Sequence, residues 1–311
     1  MLAIFFETLP FFGLIGVGYW AGRTGFFTPE ATAYLTKFVF YFALSAMLFR
    51  FSADLSLSEI VSLPFIYAYL WGTFTVYLIA TAVALLRRLP IDQTAVEAQC
   101  AVIGNTGFLG VPMFVLLFGP ASVGPMMLLL AMDLIVFSSL IVILIVGSRD
   151  GRVSPAVLRT VGLGLLKNPM IVSISAGLLW SAIDLPFPAP LERFLGLLGA
   201  AATPGALFAI GASLASKSAE RVSVALWLST AKLVLHPAAV AFAALVVFDV
   251  EPFAATIMIA ASALPVAGNV YILAQHYGVA PARVSAAILF STTASIVTLP
   301  LVIAWLEPLQ P

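Results

Sequence analysis

Asn105 and Thr106 are the side chains best placed to hold a ligand, because they lie where the chain cannot easily remain helical. The stretch Gly104-Asn105-Thr106-Gly107-Phe108-Leu109-Gly110-Val111-Pro112 falls inside an apolar segment running from about Ala95 to Phe118, long enough to cross a bilayer. Glycine costs about 1 kcal/mol at an interior helix position and proline about 3. Three glycines and a proline within nine residues therefore break the helix. In hydrocarbon the freed backbone groups have no water to bond, so such a break survives only where protein or an aqueous cavity satisfies it. A break at mid-depth that presents Asn105, Thr106 and Gly107, with Pro112 closing it, reads as a binding site. The plainer alternative is a kinked packing helix. A second segment of the same kind, Leu264-Pro265-Val266-Ala267-Gly268-Asn269, weighs against that alternative.

The two asparagines suit an anion. Asn105 and Asn269 can each donate through the amide nitrogen and accept through the side-chain carbonyl. Half-helix N-termini at the breaks carry about half a positive charge, which would stabilise a carboxylate although no arginine lies at mid-depth. The competing role for both amides is to bridge broken backbone. Asp133 and Lys232 reach the bilayer centre from opposite ends of their segments, where a charge is costly and usually paired. They are expected to form a midplane ion pair, structural or mechanistic. His236 stands one turn after Lys232 on the same face, and an imidazole, with an ordinary pKa of about 6.5, suits proton exchange; a satisfied core histidine before Pro237 is the alternative. Glu97 reads as a cap near the start of its segment, with gating of entry at the cytosolic surface as the alternative, and Lys37 as a side chain that snorkels to the interface.

The elements that must position these groups are membrane spans. Residues of the apolar class make up 62% of the 311-residue chain and charged residues 9%, against about 25% charged in soluble domains. Mean hydropathy is +1.12. Fourteen basic and fourteen acidic side chains balance, leaving no basic footprint for nucleic acid. The single cysteine, Cys100, excludes an intrachain disulfide. The apolar beginning has no positive region before it and no small-residue cleavage site after it, so it reads as a retained span. No phosphate loop, metal-ligand spacing or nucleophile elbow appears, so neither cofactor nor metal is expected.

Short polar breaks divide the chain into about ten candidate spans. Asn168-Pro169 is a good helix start for the sixth, with Asn as N-cap and Pro at the first helical position. Before it, Pro155 to Leu166 reads as an interfacial amphipathic helix. With the N-terminus outside, the inner connections carry Arg23, Arg87, Arg88, Arg149, Arg152, Arg159, Lys217, Arg221 and Arg283, and the outer ones only Arg50 and Arg193. That bias places both termini on the extracytoplasmic side. The expected fold is an all-α integral membrane protein of ten helices arranged as a 5+5 inverted repeat, residues 1–154 and 155–311. Both broken spans fall fourth in a block of five, and an odd block inverts its copy, so the broken helices cross near the midplane. Thin echoes support the repeat: Trp20 with Trp180, Leu48-Phe49 with Leu207-Phe208, and Phe118-Gly119 with Tyr277-Gly278.

The run Asn105-Thr106-x-x-x-Gly110-Val111-Pro112 resembles the motif of the fourth span in auxin efflux carriers. Ala263-Leu264-Pro265, followed by Ala274-x-x-Tyr277-x-Val279-x-Pro281, is similar to their ninth span and the loop after it, and Lys167-Asn168-Pro169 to the opening of their sixth. The long cytosolic loop of the plant carriers is missing, so the chain looks like the compact prokaryotic members, which include carriers of malonate and other carboxylates. The resemblance implies a scaffold of spans 1, 2, 6 and 7 and a transport domain of the other six, moving by an elevator-like shift, usually as a homodimer. It assigns Asn105 to the substrate carboxylate and, less directly, Asn269. Ser45 and Thr203 would then line the pocket from the scaffold, and Lys232 would stand where related carriers hold sodium. The expected function is secondary transport of a small organic anion, with membrane lipid as the other partner. A channel or a non-transporting receptor for the same ligand would tolerate the same site. An intramembrane enzyme would need acid–base or nucleophilic groups at the crossing, where this chain has amides and glycines.

Overall fold

The computed structural model describes residues 2–55, 62–150, 155–183, 186–216 and 222–307. Arg152, Lys217 and Arg221, three of the basic residues behind the orientation argument, lie outside the described residues. The described chain is helical, in the order α1 Leu2–Arg23, α2 Pro29–Ala53, α3 Leu63–Leu86, α4 Ile91–Val102, α5 Thr106–Phe118 and α6 Pro120–Arg149. It continues with α7 Pro155–Lys167, α8 Pro169–Ala182, α9 Ala189–Ala215, α10 Val222–Val247, α11 Pro252–Ser262, α12 Gly268–Tyr277 and α13 Pro281–Leu306. Among the described residues six helices, α2, α3, α6, α9, α10 and α13, are long and apolar enough to cross a membrane.

Local chemistry starts and stops these helices. Thr28 Oγ1 accepts from the Ala31 N–H at 3.2 Å ahead of Pro29. Asn168 Oδ1 accepts from the Met170 N–H at 3.0 Å ahead of Pro169, which is the N-cap read from the sequence. The axis turns by 65° between α7 and α8 at that cap, and the two helices taken together are long and apolar enough for one bent span. The Glu251 carboxylate accepts from Phe253 and Ala254 N–H at 3.0 and 2.8 Å, where a negative charge also meets the positive end of α11.

Two groups of helices pack mainly among themselves. In the first, α1 lies along α9 and the second half of α2 lies along α8. Gly18 and Gly211 make the α1–α9 contact: a methyl on either would overlap the backbone of the other helix, Phe208 in one case and Ile15 in the other, so the helices meet backbone to backbone. In the second, α3 packs on α4 and α10, α6 on α4, and α10 on α13. The groups touch where Phe40 of α2 stacks on Phe108 of α5, centroids 6.1 Å apart and planes within 9°.

Among the described residues π-turns lie at Val39–Ala43 in α2, Thr106–Gly110 at the start of α5, Asp133–Phe137 in α6, and Ala231–Leu235 and Ala243–Val247 in α10. A π-turn widens the helix locally and frequently marks a functional position. Asp133 opens one of these turns and Lys232 lies in another.

Candidate functional site

Both expected breaks are present, and they meet. α4 ends at Val102 and α11 at Ser262, and the connecting residues run past each other in antiparallel sense with Gly104 opposite Val266. Asn105 N–H donates to Pro265 C=O at 2.8 Å and Ala267 N–H to Ile103 C=O at 3.1 Å. Val266 N–H donates to Ser291 Oγ of α13 at 3.1 Å, and Asn105 C=O accepts from Leu109 and Gly110 N–H at 3.1 and 3.0 Å. Each break thus supplies backbone partners to the other, as the absence of water in hydrocarbon demands.

The bonds just described account for the backbone and leave the asparagine amides available. Asn105 is 7% exposed, and its side chain does not cap the turn that follows it. Half-buried Asn269 has its Oδ1 buried with no hydrogen-bond partner. The N-terminal ends of α5 and α12 both begin at the crossing, so their partial positive charges point at the same region. Gly107 packs against Met170, Leu130 and Leu44, which brings α8 and α2 against the break. Gly268 opens α12 with free space where a side chain would stand.

The charged groups flank the crossing without pairing. Asp133 is 2% exposed; its Oδ1 accepts from Tyr69 O–H at 2.6 Å and its Oδ2 from Thr106 Oγ1 at 3.3 Å. Lys232 is fully buried, its stem lies against Gly104, and its Nζ donates to Ser262 C=O at 2.5 Å. That carbonyl ends α11, where the helix dipole favours a cation. Among the described residues the ion pairs are Arg50–Glu192, Arg87–Glu97 and Arg283–Glu97, so the expected Asp133–Lys232 pair is corrected: each charge is held by its own neighbours. Equal depth did not bring them together because depth along a span does not fix the direction in which a side chain points.

His236 joins the two sides. Its Nε2 lies 3.1 Å from Thr73 Oγ1, and its Nδ1 lies 3.1 Å from Lys232 Nζ and 3.2 Å from Ser262 O. If Lys232 donates to Nδ1, the ring proton sits on Nε2 toward Thr73. If Nδ1 carries the proton, Ser262 O accepts it. The imidazole ring also meets Tyr69 edge-on, centroids 6.1 Å apart, and Tyr69 reaches Asp133. Tyr69 and Thr73 were not singled out from the sequence; their signal was two buried hydrogen-bonding side chains one turn apart in an otherwise apolar span.

Other expectations resolve differently. Ser45 Oγ donates to Phe40 C=O at 3.1 Å within its own helix, satisfying the π-turn, and it does not line the cavity that Thr203 and Pro112 share. Glu97 is not a cap. It is 1% exposed and bridges Arg87 at the end of α3, 2.7 Å away, and Arg283 in the first turn of α13, 2.9 Å away. Breaking a buried ion pair from one side leaves uncompensated charge. Glu97→Ala should therefore destabilise the protein by about 3 kcal/mol, the lower end of the usual 3–5, because Arg87 stays one-third exposed. Thermal unfolding in detergent checks this, and an unchanged midpoint would show the bridge to be superfluous. Lys37 is exposed and its ammonium stands 5.6 Å over the Tyr34 ring.

A family model and one relative are described as transport proteins. The sequence profile of the family described as "Membrane transport protein" matches residues 3–303. A protein of Rhizobium meliloti (strain 1021) named "Putative malonate transporter" is 30% identical over 296 residues, covering 93% of this chain and 92% of that one. The "Lysosomal cholesterol signaling protein" of Mus musculus is 29% identical over 251 residues, 75% of this chain but 29% of that protein.

Proposed function

The chain belongs to the membrane transport protein family, that of the auxin efflux carriers, and on this premise we propose that it is a secondary transporter of a small organic anion, a carboxylate of the malonate class. The observation that carries the reading is the crossing itself, where two helix N-termini and the amides of Asn105 and Asn269 converge, with Asn269 Oδ1 lacking a protein partner. The Asn105 amide donates to one carboxylate oxygen and the N-terminal N–H groups of α5 and α12 surround the charge; Thr106 steadies the same turn through Asp133.

The mechanism in this reading is an elevator. α1, α2, α8 and α9 form the scaffold, α3 to α6 and α10 to α13 the moving body, with α4–α5 and α11–α12 counted as the broken fourth and ninth of ten spans in a 5+5 repeat. The mutual backbone bonds at the crossing support it, since they make the two broken helices move as one. A homodimer held through the scaffold, and both termini outside, complete the proposal. Uptake of labelled malonate into proteoliposomes, with counterflow, is the test: saturable, trans-stimulated flux supports a carrier, and flux that stays linear with concentration means a channel.

Sodium has no place in the scheme. The Lys232 ammonium already occupies the Ser262 carbonyl beside the crossing, so a bound cation there would be repelled. Replacing sodium by choline at constant pH should leave the uptake rate unchanged; a strict sodium requirement would refute this role for Lys232.

A further inference from the structure

A cavity of about 210 Å³ lies between the two groups of helices, toward the face that carries the N-terminus. Met47, Arg50 and Phe51 of α2 and Thr203 of α9 line it from one side, Pro112 and Val115 of α5 from the other. The volume is below the roughly 300–1,000 Å³ of drug-sized sites, so it admits only a small molecule. Its walls are apolar apart from the Thr203 hydroxyl and the Arg50 guanidinium.

Arg50 is poorly neutralised. Glu192 stands 3.9 Å away, with side-chain exposures of 41% and 55%. That distance exceeds the roughly 2.7–2.9 Å of a charge-assisted hydrogen bond, so this carboxylate does not engage the guanidinium fork, whose geometry suits a carboxylate held by two parallel bonds. Arg50 is also one of two basic residues assigned to that side of the membrane against nine on the other. Pro112 lies in the first regular turn after the π-turn Thr106–Gly110, seven residues past Asn105, so the cavity stands more than one helical turn from the crossing. A malonate-sized anion cannot touch both at once.

We propose that this cavity is a separate staging site for the organic anion, in which Arg50 binds the carboxylate at the N-terminal face before it passes to the crossing. The assignment rests on the transport reading above. Because the cavity is walled by both helix groups, sliding one past the other would dismantle it, so it serves one face only. Glu192 competes with the substrate for the same guanidinium.

The test is malonate uptake by protein reconstituted in vesicles of known orientation, measured from each face. Arg50→Gln should raise the half-saturating malonate concentration about tenfold, equivalent to about 1.4 kcal/mol, from the Arg50 face, and change it by less than about twofold from the opposite face. Glu192→Gln should lower it on the Arg50 face only, and Arg50→Lys, which keeps the charge but loses the fork, should fall between. An equal shift on both faces, or none, overturns the proposal. Asn105→Ala in the same assay separates the two readings, because it should raise the half-saturating malonate concentration by roughly 10- to 100-fold from both faces. If the wild type carries no malonate but malonate raises its melting temperature through Arg50, the transport reading falls and the site stands; if neither occurs, both fall.

Discussion

Asn105→Ala should raise the malonate concentration for half-maximal uptake by roughly 10- to 100-fold, with the protein still inserted and folded. Hydrogen bonds to charged groups contribute about 1.5–3 kcal/mol, and each 1.4 kcal/mol is a factor of ten in affinity. The fold should survive because the structural bonds of Asn105 are made by its backbone: its N–H holds Pro265 and its C=O holds Leu109 and Gly110, and alanine keeps all of them. The side chain contributes no cap to the turn. Binding to purified protein, followed by ligand-induced thermal stabilisation, reads affinity and folding in one experiment. A folded variant with unchanged affinity would mean that helix N-termini alone hold the anion. Asn269→Ala should act the same way but more weakly, since Asn269 is half-buried where Asn105 is buried.

The second large effect is expected from the charges flanking the crossing. Lys232→Met strips the α11 terminus of its cation and removes the other buried charge at the crossing, and an uncompensated buried charge costs several kcal/mol in soluble proteins. Asp133→Asn keeps an oxygen for the Tyr69 hydroxyl but leaves a lone buried ammonium. The two residues share no contact, so the double variant should recover only part of the loss, about 1 kcal/mol, within the usual 0.5–3 for coupled sites. Thermal unfolding of the four proteins gives this number, and strict additivity would show that each charge is compensated locally. The same proteins report on mechanism. Stability rescued without transport assigns the charges to the transport cycle; rescue of both makes them scaffolding and leaves His236 as the group able to carry a proton.

Backbone chemistry is local, and what depends on it was legible in the chain. The breaks at Gly104–Pro112 and Pro265–Gly268 follow from residues that cannot sustain a helix, and their mutual satisfaction follows from the lack of any other partner in hydrocarbon. The Asn168-Pro169 helix start needed nothing beyond its own first turn. The apolar composition settled the solvent, and the motif around Asn105 pointed to the family that the match over residues 3–303 shows.

Partner choice was not legible, because depth in the membrane is a count of residues while facing is an angle. Each residue turns a helix side chain by about 100°, and each π-turn lets in an extra residue that shifts this register. Asp133 and Lys232 lie in such turns, so their common depth predicted a pair where the tertiary structure gives Asp133 to Tyr69 and Thr106, and Lys232 to Ser262 and His236. Glu97 could not announce a partner 186 residues away in Arg283. Arg50, counted from the sequence only as an outer charge, became a cavity wall once α2, α5 and α9 were brought together. A helix sequence sets which residues a span carries, and only packing against its neighbours sets which way they point.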